Sequence, residues 1–404
     1  MNRKQLIAAL FYALMLGYAS LFPFQGWRLP DEGLLAWCSH LPDNISRSDL
    51  FVNVIAYLPL GFLLLRLLPG NGAKALSVLL ATAAGIALSF TMELTQAFLP
   101  SRTSSTLDLF TNGLGTMLGA LSALLWQESA APQGALGRWR DSHLQQGRGA
   151  EIGVGVLLCW ALSQLAPFVP SLDLGGIKHA LKPLWYTAHD LSRFDLPHAA
   201  TYCCYLAALG VAAQVSVRQR SRPLPFFTLF AFCVLSSKIF ILGRELSLEA
   251  LSGLLGAVAL WVVMSLCRER MRRYLAMSLV LVGFAVYELK SGGGGSVAAS
   301  FNWIPFRGEL ARELTGFGSI LEGVWPFAAL SLFFLLPSRK GERAFIVGGI
   351  LVLLFVFTLE WLQLTIPGRS ADLTPVLLAL SGWLAPWLYL RRPDKIVVTS
   401  DIQG

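Results

Sequence analysis

The chain is 404 residues long, 55% hydrophobic and only 14% charged, with a formal net charge of +8. A mean hydropathy of +0.59 with so few charges excludes an ordinary soluble protein, and a bilayer is the expected solvent. The basic excess does not imply nucleic acid, because Lys and Arg are spread over many short loops rather than along one stripe.

A bilayer-crossing helix needs ~20 mostly apolar residues. Stretches of that kind follow one another near 5–24, 51–68, 74–99, 107–126, 151–170, 197–216, 224–243, 247–267, 273–290, 319–337, 344–366 and 371–391. The predicted fold is therefore an all-α polytopic membrane protein with about twelve transmembrane helices. The first run ends in Phe22-Pro23-Phe24 without a small-residue cleavage site, so it reads as a retained span rather than a signal peptide.

Basic clusters occupy short connections at Arg138, Arg140 and Arg148, at Arg218, Arg220 and Arg222, at Arg268, Arg270, Arg272 and Arg273, and at Arg391, Arg392 and Lys395. Alternating spans put all of them on the side of the N-terminus, which the positive-inside rule makes cytoplasmic. Both termini are expected there. The six cysteines form no disulfide framework and no zinc spacing. Lys290-Ser291 followed by Gly292 to Gly295 reads as a flexible linker.

One polar signature recurs near the end of every third span. The first copy reads Glu93-x-x-Gln96-x-x-x-Pro100-x-Arg102 and then Asp108; the last reads Glu360-x-x-Gln363-x-x-x-Pro367-x-Arg369 and then Asp372. The middle copy keeps Gly243-Arg244, Glu249 and Gly256, but has Leu235 and Lys238 where Glu and Gln are expected. A second echo is Phe22-Pro23-Phe24, Pro167-Phe168-Val169-Pro170 and Ile304-Pro305-Phe306. These echoes predict three diverged four-helix units, at 1–126, 151–267 and 273–391, with a cytoplasmic linker at 127–150 and a cytoplasmic tail at 392–404. Four spans per unit is an even number, so the copies are parallel rather than inverted.

The polar residues of the first unit resemble those of the VanZ-like family: Asp49-x-x-x-Asn53-x-x-x-Tyr57-x-x-x-Gly61, Glu93-x-x-Gln96 with Pro100-x-Arg102, and Asp108-x-x-x-Asn112-Gly113-x-Gly115-x-x-x-Gly119. The resemblance covers the first unit fully. The third matches in part, with Glu322 near the Asn53 place and Val376 at the Asn112 place, and the middle one only in outline. That family is named for a membrane protein associated with resistance to the lipoglycopeptide teicoplanin, so the resemblance implies a fold and a site but no reaction.

Helical spacing supports the same site independently. Asp108, Asn112, Gly115 and Gly119 fall on one stripe of a helix, with polar groups above a glycine seam suited to close helix packing. Glu93 and Gln96 share a face, and Glu93 lies ~10 Å below the helix end at 1.5 Å per residue. An intramembrane carboxylate costs ~2.5–3.5 kcal/mol and needs a partner, for which Arg102 is the nearest candidate. Thr106 or Asp108 is the expected cap of the next helix.

The expected ligand-binding set is Asp49, Asn53, Glu93, Gln96, Arg102, Asp108 and Asn112, with a secondary set at Glu322, Glu360, Gln363, Arg369 and Asp372. The five histidines are too scattered for a Ser-His-Asp or zinc site, and neither a resident metal nor a cofactor is expected. The chemistry suits an amphipathic or anionic-headed ligand, such as a lipoglycopeptide or glycan-carrying lipid, taken from the extracytoplasmic face of a bacterial inner membrane. Binding without catalysis leads the readings, with membrane lipids as the other partners. The alternatives left open are a lipid-linked transferase or hydrolase using Glu93 and Asp108, a transporter in which the same oxygens hold a cation, and a purely structural lock.

Overall fold

The computed structural model describes residues 3–30, 33–39, 47–69, 73–131, 133–290, 300–311, 316–336 and 341–391. The glycine run at 292–295 and the tail at 392–404 lie outside the described residues. Regular structure among the described residues is helical, apart from isolated bridge residues, among them the pairs Leu144 with Val217 and Asn302 with Asp372.

The helices are α1 (Arg3–Leu21), α2 (Arg47–Leu67), α3 (Lys74–Gln96), α4 (Thr106–Ser129), α5 (Ala135–His143), α6 (Arg148–Leu165), α7 (Leu174–His189), α8 (Leu196–Ser216), α9 (Pro223–Ser237), α10 (Leu248–Ser265), α11 (Glu269–Leu289), α12 (Arg307–Ala311), α13 (Gly316–Leu335), α14 (Glu342–Gln363) and α15 (Thr374–Leu390). Each apolar stretch named from the sequence overlaps one of them. Eight are long and apolar enough to cross a membrane: α2, α3, α4, α8, α9 with its following turn, α10, α13 and α14. The apolar parts of α1 and α15 are shorter, and α6 and α11 open on charged turns containing Arg148 and Glu151, and Glu269 to Arg273.

Three helices fall outside the predicted spans. The 127–150 stretch is not a bare linker, since α4 continues to Ser129, α5 occupies most of the remainder and α6 begins at Arg148. The region between α6 and α8 carries α7, whose sequence alternates apolar with basic residues and so escaped a search for continuous apolar runs.

The chain divides into two compact units. The first contains α1 to α4. Here α4 lies along α2 with the backbones in close contact: a Cβ on Gly115 or Gly119 would strike the carbonyl of Val54 or Leu58, and one on Gly61 would strike that of Thr116. The glycine seam therefore exists on both helices, and it lets the polar ends of α2 and α4 approach. On α3 the buried residues are Ala81, Gly85, Ser89 and Glu93, one every four positions, so a single stripe runs from small residues up to the carboxylate.

The second unit contains α6 to α11 and α13 to α15 around one core. Its central helix is α8, buried without interruption from Leu206 to Ala213. Ala207, Ala208, Gly210, Ala212 and Ala213 keep that helix thin enough to be surrounded on all sides.

Phe24, Phe168 and Phe306 all adopt left-handed backbone conformations, with φ of 60°, 65° and 60°. Each directly follows a proline in the echo noted in the sequence. A bulky residue seldom adopts this conformation, so its recurrence at matching places is a geometric counterpart of that echo.

Candidate functional site

In the first unit α2, α3 and α4 bring Asn53, Glu93, Asp108 and Asn112 into one cluster, in which Glu93 and Asn112 are buried, Asn53 and Asp108 half-buried, and Asp49 exposed near Asp108. Glu93 is 3% exposed, and its Oε2 accepts the backbone N–H of Ser105 at 2.8 Å. The Ser104 hydroxyl donates to the Glu93 carbonyl at 2.8 Å. Asn53 Nδ2 donates to Asp108 Oδ1 at 2.9 Å, joining α2 to α4. Asn112 Nδ2 donates to Ser89 Oγ at 2.9 Å, joining α4 to α3, and the buried Tyr57 lies beside the same serine.

Two expectations are corrected. Arg102 is not the partner of Glu93: its Nε donates to the Phe22 carbonyl at 2.8 Å and its Nη2 to that of Ala19 at 3.4 Å. The last carbonyls of α1 have no intrahelical donor, and a cation is favoured at that negative end; the carboxylate needs only an N–H, which the start of α4 supplies. The cap of α4 is Ser105, whose side chain accepts from the Leu107 N–H, rather than Thr106 or Asp108.

Gln96 also reaches α1, donating to the carbonyl and hydroxyl oxygens of Ser20 at 2.8 and 2.9 Å. Its own Oε1, and the Oδ1 of Asn112, are buried with no hydrogen-bond partner. Glu93 lies near Asp108, and Asp108 near Asp49. Asn53, Gln96, Arg102 and Asn112 each donate to oxygens of the protein, while Gln96 Oε1 and Asn112 Oδ1 remain without a donor.

The second unit repeats parts of this pattern. Glu360 Oε2 accepts the N–H of Asp372, 12 residues on, at 3.1 Å; Glu93 and Ser105 are also 12 apart. Arg369 Nε donates to the Lys290 carbonyl at 2.8 Å, and Arg244 Nη2 donates to that of Ser163 at 3.0 Å. Gln363 bridges Glu288 Oε2 at 2.8 Å and Glu360 Oε1 at 3.1 Å. Asp372 Oδ1 accepts the Thr374 N–H at 2.6 Å and so opens α15.

Of the secondary set, Glu360, Gln363, Arg369 and Asp372 come together around Glu288, and Glu322 lies near that same glutamate. Glu322 Oε1 is 3.9 Å from Arg244 Nη1. Lys238, buried in the place of the expected glutamine, donates to the Tyr202 hydroxyl at 3.0 Å. Sequence reasoning missed Glu288, whose signal is an acidic residue at the end of an apolar run, and Ser89, which gives no signal beyond helical spacing from Glu93; Tyr57 belongs to the motif of the family resemblance but not to the expected set. Among the described residues no group of three His, Cys, Asp or Glu side chains is arranged to hold a metal.

Residues 6–127 match the VanZ/LLP1 family model. The VanZ/LLP1 match spans α1 to α4 and includes all seven residues of the first site. The helices from α6 onward lie beyond it. No curated protein and no solved structure matches the chain.

Proposed function

We propose that the chain is a cell-envelope membrane protein whose VanZ-like first unit binds the glycan head of an amphipathic ligand, a lipoglycopeptide or glycan-carrying lipid, from the extracytoplasmic side. The observation carrying this reading is the surplus of acceptors. Buried Gln96 Oε1 and Asn112 Oδ1 are unpartnered, in the same helix trio that carries the carboxylates of Glu93 and Asp108. Sugar hydroxyls and amines are the donors such a site takes, since a buried acceptor left unmade costs ~1–3 kcal/mol. An anionic head is the poorer fit, because the Arg102 donors that would clamp it point at Phe22 and Ala19. Binding of this kind belongs to glycopeptide resistance or to the handling of envelope polysaccharide.

The test is retention of ligand by the detergent-solubilised full chain under native mass spectrometry. A lipid-linked oligosaccharide should be retained at least tenfold better than the same lipid without its sugar, and Glu93→Gln should remove the preference. Equal retention of the two lipids by the wild-type chain would overturn the reading.

The proximity of Glu93 and Asp108 favours a second reading, a lipid-linked transferase or hydrolase in which one carboxylate is acid and the other base. Turnover of the lipid-linked sugar by the same reconstituted protein, lost in Glu93→Gln, would favour it over binding alone.

The architecture proposed with this function is twelve spans in three parallel four-helix copies, α1 to α4, α6 with α8 to α10, and α11 with α13 to α15. Its support is the recurring arginine-to-carbonyl contact, over 80, 81 and 79 residues, and the left-handed phenylalanines. Both termini are then cytoplasmic and Arg102 extracytoplasmic. A Thr103→Cys variant should react with an impermeant thiol reagent in intact cells; reaction only after permeabilisation contradicts this topology.

A further inference from the structure

Helix α7 sits where α6 has ended and α8 has not yet begun, beside the start of α10, a place that is one membrane face in the twelve-span architecture proposed above, on which this inference rests. Its 16 residues are too few to cross a bilayer and return. The backbone fixes it there: the Ser171 N–H donates to the Phe240 carbonyl at 2.9 Å, and the Leu246 N–H to the Ala180 carbonyl at 3.0 Å. Ala180 and Thr187 are buried, with Ile177, Leu181 and Leu184 half-buried beside them, and together they form the inward stripe.

The opposite stripe is different in kind. Lys178, Lys182, Trp185 and His189 recur at helical spacing and are all exposed, Trp185 by 64%. Tyr186 flanks them with Arg193 over its ring at 5.5 Å. The nearby acids are already engaged: Asp173 by the Gly176 N–H, Asp190 by Ser192 and Arg193, and Glu245 by His179. Among the described residues Lys178 and Lys182 make no ion pair. At either end Leu174 and Leu191 are exposed by 77% and 71%.

An interfacial helix has this composition, with cations and amphipathic rings at head-group depth and apolar ends that can dip toward the acyl chains. We propose that the outward face of α7 binds the head groups of anionic phospholipids and ties this part of the second compact unit to the membrane surface. The occupant follows from charge complementarity, two unpaired lysines meeting lipid phosphates, and from Trp185 and the terminal leucines, for which a soluble phosphate offers nothing apolar.

The experiment uses the full chain in detergent, with phosphatidylglycerol or phosphatidylcholine added and retained lipid counted by native mass spectrometry. The wild type should prefer phosphatidylglycerol. Lys178→Gln with Lys182→Gln should weaken its retention by about 25-fold, at about fivefold per basic residue. Unchanged preference in the double variant, or none in the wild type, would overturn the proposal. Trp185→Phe gives a reading independent of the lysines: in vesicles containing phosphatidylglycerol brominated near the head group, quenchable tryptophan fluorescence should fall relative to the wild type, whereas an unchanged quenchable fraction would overturn the lipid contact.

Discussion

Arg102 donates its Nε hydrogen to the backbone carbonyl of Phe22 at 2.8 Å, across 80 residues of chain. Arg369 makes the same bond to Lys290, and Arg244 uses its terminal nitrogen on Ser163. In each case an arginine in the turn after one helix, α3, α9 or α14, holds the end of another, α1, α6 or α11. The guanidinium is suited to this because its fork addresses two carbonyls at once, Phe22 and Ala19 for Arg102.

Arg102→Ala is accordingly expected to lower stability by about 2 kcal/mol, the range for a charge-assisted hydrogen bond. Arg102→Lys, which reaches one carbonyl at a time, should fall between alanine and wild type. Thermal unfolding in detergent measures both, and ligand retention by the folded fraction should be unchanged. A stable Arg102→Ala protein that has lost its ligand would return the arginine to the role of head-group clamp.

Glu93 separates structure from binding in a different way. Glutamine keeps an oxygen for the Ser105 N–H but removes the charge, so Glu93→Gln should stay within about 1 kcal/mol of wild-type stability and lose ligand. Glu93→Ala strands that N–H and should cost about 1–3 kcal/mol as well. Comparable unfolding of the two variants would contradict the hydrogen bond as the reason for the carboxylate's position.

The α2 to α4 contact predicts a steep steric penalty. Gly119→Ala places a methyl against the Leu58 carbonyl, where only backbone movement can relieve it. Overpacking of this kind costs about 1–3 kcal/mol or more, so yield and unfolding temperature should both drop. Gly155→Ala on α6, where nothing lies within 4 Å, is the control and should behave as wild type.

Acid should loosen α7 from its N-terminus. The Asp173 carboxylate accepts the Gly176 N–H at 2.7 Å and the Ser171 hydroxyl at 3.1 Å, and the backbone bond first among these holds its pKa below the usual carboxylate range. With the folded value depressed, the cap's contribution is complete above the ordinary carboxylate range and is lost as pH falls through the folded value. Hydrogen exchange across 171–180, corrected for the intrinsic rate, should rise on acidification, and Asp173→Ala should show the raised rate at neutral pH. A profile in the wild type that does not respond to acid would contradict the cap.

Much of the first site was legible in the sequence because its members are polar residues at helical spacing in apolar surroundings: Glu93 with Gln96, Asp108 with Asn112. Their partners were less so. Arg102 was matched to Glu93 because a sequence displays charges, whereas the carbonyls of Phe22 and Ala19 carry no side-chain signal. The contact of Glu322 with Arg244 depends on how α13 packs, which spacing alone does not specify. Helix α7 was hidden because Lys178, Lys182 and His189 interrupt its apolar residues and a search for spans passes over it.

The acceptor-lined site of the first unit is tested most directly by a cryo-electron microscopy map of the full chain in lipid nanodiscs with a lipid-linked oligosaccharide. The account predicts sugar-shaped density between α2, α3 and α4, with hydroxyls within hydrogen-bond distance of Glu93 and of the unpartnered Asn112 Oδ1, and its disappearance in Glu93→Gln. Density of the ligand bound elsewhere, with the polar cluster of Asn53, Glu93, Asp108 and Asn112 unchanged and closed, would contradict it.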